Sequence, residues 1–220
     1  MKHLCLLSTI FALSAVGCSK GYERLPLSED PFPMRVGSYW LYNEINSATS
    51  LTIGSVNKEV IGEEEFAGVN TFVLNTTESD PTLADKRSNW FDDNRRLERL
   101  RQRRLMQGTL LTERTWEPGF LRIDRGHIAL GDSLRESSTR KEFDSFGNLM
   151  ASVVTDYSWL VEDSDVSVTV PAGTFTTVQI MRTNNSSGEV KRYWYAFGVG
   201  KVLEEGPFER EELVEYAIGP

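Results

Sequence analysis

The sequence predicts an antiparallel all-β domain, arranged as a curved sheet or an open barrel of about ten strands. Short segments rich in Val, Ile, Thr and aromatic residues recur between Gly, Asn, Asp and Pro residues along most of the chain. Long helical periodicity is hard to find beyond the first 17 residues. We therefore expect one β-rich domain over residues 34–220, with little helix.

The first strands are expected to form a hairpin with an acidic tip. Residues 38–45 place Trp40 and Tyr42 on one face of a strand, because side chains alternate along it. From Leu51 onward apolar and polar residues alternate, and the chain then turns through residues 62–68 into a second apolar run. The three glutamates of this turn predict that its tip is exposed to solvent.

The clearest hairpin covers residues 166–181. Alternate valines precede Pro171-Ala172-Gly173, and proline followed by glycine suits a tight turn. The spacing of Phe175 and Val178 on the return strand breaks the period of two, which predicts a β-bulge between them. Further strands are expected at residues 139–143, 149–160, 190–197, 201–205 and 210–218.

Residues 95–106 fit either a helix or a strand. Leu97 and Leu100 have helical spacing, whereas Leu97 and Leu105 share one face of a strand with the alternate arginines between them. The neighbouring segments on both sides have the pattern of strands. This context favours a strand.

A basic stretch from Lys86 to Arg104 overlaps this segment, within an acidic chain of net charge −8. Its arginines could bind anionic groups of a lipid, an envelope polymer or a partner protein. Alternatively, they pair with glutamates of neighbouring strands and cover the solvent face of the sheet. The candidate residues are Arg95, Arg96, Arg99, Arg101, Arg103 and Arg104. The acidic net charge argues against nucleic acid as a partner.

The amino terminus carries a secretory signal pattern, in which a basic start precedes an apolar run from Leu4 to Val16. This run is shorter than the roughly 20 residues that a membrane-spanning helix needs. It ends in Ala15-Val16-Gly17-Cys18, which resembles the lipobox of bacterial lipoproteins. The resemblance implies that residues 1–17 are removed by cleavage after Gly17 and that fatty acids such as palmitate are attached to Cys18.

Lipid on Cys18 would hold the protein on a membrane of the cell envelope, because two or more acyl chains anchor stably. Ser19 follows the cysteine in place of aspartate, and the sorting pattern of such lipoproteins then implies the outer membrane in a host with two membranes. The alternative is an ordinary signal peptide whose removal leaves Cys18 as a free thiol. Residues 18–33 are polar with three prolines, which predicts a tether.

The mature chain has few of the side chains that catalytic sites commonly use. It keeps His127 as its one histidine, and it has no free thiol once Cys18 is lipidated. Most metal sites and catalytic triads are excluded on this ground, and no Gly-x-Ser-x-Gly motif is present. We predict no enzyme, no cofactor and no metal ion, and a hydrolase that uses His127 is the enzymatic alternative.

Three short motifs resemble uncharacterised bacterial envelope lipoproteins. They are a Trp-x-Tyr strand after a proline and a glycine in residues 32–42, the hairpin sequence Val170 to Phe175, and a glycine turn in residues 195–202. A weaker similarity links the chain to the half-barrel lipoprotein carriers of the outer-membrane sorting system. The resemblance implies a β-rich domain and assigns no active residue.

These observations predict a non-catalytic binding or scaffold module of the cell envelope. The alternative is a carrier or sensor of an apolar ligand in a concave β-groove. Tryptophans would form the core in the first case and could line the groove in the second. They are Trp40, Trp90, Trp116, Trp159 and Trp194.

Overall fold

In the computed structural model, which describes residues 25–220, twelve antiparallel strands form a closed barrel. Each strand pairs with its neighbours in sequence, and the last strand pairs with the first, so that every strand has a hydrogen-bonded neighbour on both sides. The strands are Tyr39–Asn46 (β1), Thr52–Phe66 (β2), Val69–Glu78 (β3), Asp85–Asp92 (β4), Arg96–Met106 (β5), Thr109–Asp124 (β6), Ser133–Asp144 (β7), Leu149–Val170 (β8), Gly173–Asn184 (β9), Val190–Ala196 (β10), Gly200–Glu205 (β11) and Glu209–Ala217 (β12).

The predicted antiparallel all-β domain is confirmed, since the helix in the described part of the chain is a single 3-10 turn at Leu27–Glu29. The sheet closes on itself completely, and it has twelve strands rather than the roughly ten expected from the pattern. The arginine-rich segment forms strand β5, which confirms the prediction of a strand rather than a helix. Within residues 25–220, no helix is long and apolar enough to cross a membrane.

The hairpin of β8 and β9 turns where the sequence predicts it, with Val170 paired to Gly173. The β-bulge expected between Phe175 and Val178 of β9 lies instead on the partner strand β8. Asp163 pairs with Gln179 and Val166 pairs with Thr177, so two residues of β8 face one residue of β9. The extra residue of the β-bulge therefore lies on β8. The alternation of inward and outward side chains breaks on β9 at Val178, because this residue faces the two bulged residues of β8.

Aromatic and branched side chains fill much of the barrel interior. All five tryptophans are buried, and Trp40 has no measurable exposure. Trp40 donates a hydrogen bond from Nε1 to the carbonyl oxygen of Val199, at 2.5 Å. The core thus contains the tryptophans, as one of the two interpretations predicts, although Trp40 and Trp90 also face an internal cavity.

The segment before β1 packs against the barrel. The Phe32 ring stacks on Trp40 and Trp90, with centroid distances of 5.4 and 6.4 Å. The end of the segment expected as a tether is therefore part of the folded domain. The expected cleavage site Gly17 and lipidation site Cys18 lie outside the described residues.

Candidate functional site

The barrel contains a cavity of about 410 Å³, a volume suited to a small ligand. Trp40, Tyr42 and Trp90 form part of its inner wall. Ile53 and Leu83 also line it, and they are 60% and 50% exposed. The cavity therefore opens to solvent beside these two residues.

Charged side chains make up half of the residues that line the cavity. Hydrocarbon cannot solvate charge, so this lining suits a polar ligand better than an acyl chain. The charged residues are Glu44, Lys58, Glu78, Lys86, Arg99, Arg122, Lys191, Lys201, Glu204, Glu209 and Glu211.

A network of alternating lysines and glutamates crosses one wall of the cavity, from β2 through β12 and β11 to β10. Lys201 Nζ contacts the carboxylates of Glu204 and Glu211. Lys58 Nζ lies 2.5 Å from Glu211 Oε2, and Lys191 Nζ lies 3.1 Å from Glu204 Oε1. Lys191 Nζ also lies 3.9 Å from Glu209 Oε1, so three carboxylates balance the three lysines and the network is neutralised from within the protein.

The same neighbours set the protonation of the network. Burial alone would raise the pKa of Glu211, but Lys201 and Lys58 lower this pKa to about 2. Burial would lower the pKa of Lys201, but Glu204 and Glu211 raise it well above its ordinary value. Burial lowers the pKa of Lys58 to about 8 against the charge of Glu211. Glu211 and Lys201 are therefore both charged at neutral pH.

Three arginines from different strands meet around the ring of Phe120. The guanidinium carbons of Arg99, Arg122 and Arg182 lie 5.3, 5.8 and 5.3 Å from the ring centroid of Phe120. Arg99 and Arg122 line the cavity. Arg122 is the extra residue of a β-bulge, because Leu97 pairs with Ile123 while the next residue of β5 pairs with Leu121. We call these three residues the arginine cluster.

Aromatic rings surround the arginine cluster. The guanidinium carbon of Arg99 lies 4.4 Å from the ring centroid of Trp116. The guanidinium carbons of Arg122 and Arg182 lie 5.5 and 5.2 Å from the ring centroid of Tyr193. Such contacts are cation–π interactions, which stabilise a guanidinium through the face of the ring.

The arginine cluster differs from the lysine network in its partners. Within residues 25–220, none of the three arginines forms an ion pair with a carboxylate or donates a hydrogen bond to a protein acceptor. Burial and then the positive charges of Arg122 and Arg182 lower the pKa of Arg99 to about 9, so it is protonated at neutral pH. Burial would lower the pKa of Arg122, but Tyr193, Tyr195 and then Glu204 and Glu211, which do not contact it, raise this pKa. The barrel thus holds three converging positive charges without a contacting carboxylate among the described residues.

The basic stretch predicted as one site is divided by the fold. Arg99 faces the cavity. The register between β5 and β6 shifts between Arg99 and Arg101. The alternate arginines of β5 therefore do not lie on one face of the sheet, and that prediction was wrong. Arg101 and Arg103 instead bind Glu64 of β2, with Nη2 to Oε1 distances of 2.5 and 3.3 Å. These two arginines follow the interpretation in which glutamates of neighbouring strands neutralise them.

The other arginines of the stretch also lie apart from the cavity. Arg96 pairs with Glu98 and Glu136. Arg95 is largely exposed and lies 3.5 Å from Asp124, while Arg104 pairs with a threonine of β6 in the sheet. Two members of the arginine cluster, Arg122 and Arg182, were not among the residues predicted from the sequence. The sequence does contain one indication of an inward-facing arginine, which is a single arginine between apolar neighbours on a strand, as in residues 120–123.

His127 lies in the loop after β6, with Nδ1 3.2 Å from Asp124 Oδ2. It lines a separate cavity of about 20 Å³, together with Asp124, Asp132, Ser133 and apolar residues. A space of this size holds about one water molecule.

No protein-family model matches the chain, and no curated protein matches its sequence. Solved structures do match its fold. A proposed lipoprotein from Parabacteroides distasonis has a TM-score of 0.53 and 13% identity, over 86% of this chain and 98% of that chain. A proposed exported protein with a YmcC-like fold from Bacteroides fragilis has a TM-score of 0.51 and 14% identity, over 84% of this chain and 98% of that chain. At this level of identity, the similarity establishes a shared fold.

Proposed function

We propose that this protein is a lipid-anchored, non-catalytic binding protein of the cell envelope whose barrel holds a small polar ligand. The observation that carries the proposal is the cavity of about 410 Å³, which opens to solvent and has a lining rich in charge. Its lining carboxylates Glu204 and Glu211 are bound to lysines, an arrangement that supports binding rather than acid–base catalysis.

Two observations support the cell envelope as its location. The sequence Ala15-Val16-Gly17-Cys18 resembles a lipobox. Two proteins that share the fold are a proposed lipoprotein and a proposed exported protein. Ser19 favours the outer membrane where the host has two membranes.

The anchor is tested with the full-length chain and its Cys18→Ser variant, both expressed in a bacterial host. We expect a clickable palmitate analogue to label the wild type alone. The wild type should sediment with membranes, and the variant should not be processed to an acylated form. Mass analysis that finds an unmodified thiol at Cys18 of the processed wild type would contradict the proposal.

The binding function is tested by native mass spectrometry of protein released from envelopes. Ser88 lines the cavity and is buried, so Ser88→Phe should fill part of the space. Ser137 is exposed on β7, and Ser137→Phe provides a matched control. We expect a bound small molecule in the wild type and the control, and its loss from Ser88→Phe. A wild type that retains nothing, or three proteins that retain the same molecule equally, would refute the proposal.

A further inference from the structure

The arginine cluster reaches the cavity through Arg99 and Arg122, and no carboxylate among the described residues contacts its three guanidinium groups. We propose that Arg99, Arg122 and Arg182 bind an oxyanion of the cavity ligand: a phosphate, sulfate or carboxylate group. This inference rests on the proposed function, because it identifies the chemistry of the ligand that the barrel holds.

Electrostatics supports an anion at this position. Like charges repel strongly when they are buried, and the aromatic faces around the cluster offset only part of that cost. An anion near the three guanidinium groups would convert the repulsion into attraction. The guanidinium carbons of Arg99 and Arg122 lie 6.0 and 5.4 Å from the ring centroid of Trp90, a residue of the cavity wall, so a ligand in the cavity can approach both.

Hydrogen-bond donors lead to the same conclusion. A guanidinium that stacks on a ring keeps its N–H groups free at its edge, where they match the geometry of an oxyanion. Arg99 Nε, Trp90 Nε1 and Tyr193 Oη are buried and have no hydrogen-bond partner among the described residues. The two nitrogen atoms can only donate, so they require acceptors. An oxyanion has several acceptor atoms, and it would satisfy such donors together.

The lysine network places the anion at the arginines rather than elsewhere in the cavity. Lys58 and Lys201 are each in contact with a glutamate carboxylate. An anion beside these lysines would have to compete with Glu204 and Glu211. No carboxylate among the described residues contacts the arginine cluster, so an anion there would displace no ion pair.

The test is calorimetric titration of the purified protein with sodium phosphate, sodium sulfate and sodium acetate at constant ionic strength. The variants are Arg99→Gln, Arg122→Gln and Arg182→Gln, and the matched control is Arg104→Gln on the same strand as Arg99. We expect one of the anions to bind the wild type and the control equally. Each cluster variant should weaken that affinity about tenfold or more, as expected for the loss of charged hydrogen bonds.

The comparison of phosphate, sulfate and acetate identifies the class of oxyanion. The proposal is overturned if none of the three anions binds the wild type, or if the cluster variants bind as tightly as the control. A ligand from the envelope that is uncharged, and that all variants retain, would also overturn it while leaving the proposed function in place.

Thermal unfolding provides a readout that a purely structural role would not give. Without added anion, Arg99→Met should unfold at a higher temperature than the wild type, because it removes one of three repelling charges. Added phosphate should raise the unfolding temperature of the wild type more than that of the variant. If cation–π contacts were the whole role of Arg99, the methionine variant would instead be less stable in both buffers, which would contradict the proposal.

Discussion

Lys201 Nζ and Glu211 Oε2 lie 2.5 Å apart inside the barrel, where the side chain of the lysine is only 3% exposed. Both charged groups have lost most of their contact with water. Such a pair contributes to stability only while both members are present, because the loss of one leaves the other buried without an opposite charge. The lysine network is therefore sensitive to single substitutions.

We predict that Lys201→Met lowers the free energy of unfolding by about 3–5 kcal/mol, because Glu204 and Glu211 then share the barrel wall without their central cation. Arg135 provides the control, since its ion pair with Asp156 lies on the surface. Arg135→Met should leave stability almost unchanged. Urea denaturation of both variants measures the difference. Equal stability of the two variants would show that the buried network contributes nothing.

Acid should destabilise the protein through the same glutamates. Lysines lower the pKa of Glu211 to about 2, against an ordinary value of 4.5, and they also lower the pKa of Glu204. The unfolded chain therefore takes up protons first as the pH falls, and stability decreases between about pH 4.5 and pH 2.

The free energy of unfolding, measured by urea denaturation across this pH range, tests the expectation. Glu211→Gln should be less stable than the wild type at pH 7 and should lose less stability on acidification. A Glu211→Gln variant whose pH dependence is the same as that of the wild type would exclude Glu211 as a source of the effect.

The sequence predicted most of the fold because its strands alternate and its turns have characteristic residues. Val170 and Gly173 flank the turn of β8 and β9 as expected. Closure of the barrel was not predictable, because the pairing of β1 with β12 joins residues that are far apart in the chain. The bulge at Arg122 has the same origin, since the slip depends on how β6 pairs with β5. Local patterns identify strands, whereas the partner strand decides which side chains enter the cavity.

The amino-terminal segment should depend on one guanidinium. Arg125 contacts Asp30 at 3.0 Å and Asp92 at 2.8 Å, and its side chain is only 5% exposed. We predict that Arg125→Gln releases residues 30–34 from the barrel, because it removes the charge that holds both carboxylates. Hydrogen exchange of this segment should accelerate.

The control for this prediction is Arg95→Gln, in a nearby turn and largely exposed. It should leave the hydrogen exchange of residues 30–34 as it is in the wild type. Unchanged protection of the segment in Arg125→Gln would mean that the stacking of Phe32 on Trp40 holds it without the ion pairs.

Substitution of two glycines, Gly147 and Gly200, would distinguish the cost of backbone strain from the cost of steric contact. Gly147 has a φ of +83° with open space where a Cβ would be, so Gly147→Ala should lower the free energy of unfolding by about 1–2 kcal/mol. Gly200 has a φ of +109°, and its Cβ would lie 3.0 Å from Trp40 Nε1. Gly200→Ala should therefore cost at least about 1 kcal/mol more, because the buried indole must move and strain its hydrogen bond to Val199. Urea denaturation compares the two variants. Equal losses of stability would show that the Trp40 side chain moves away from the added methyl group at no measurable cost.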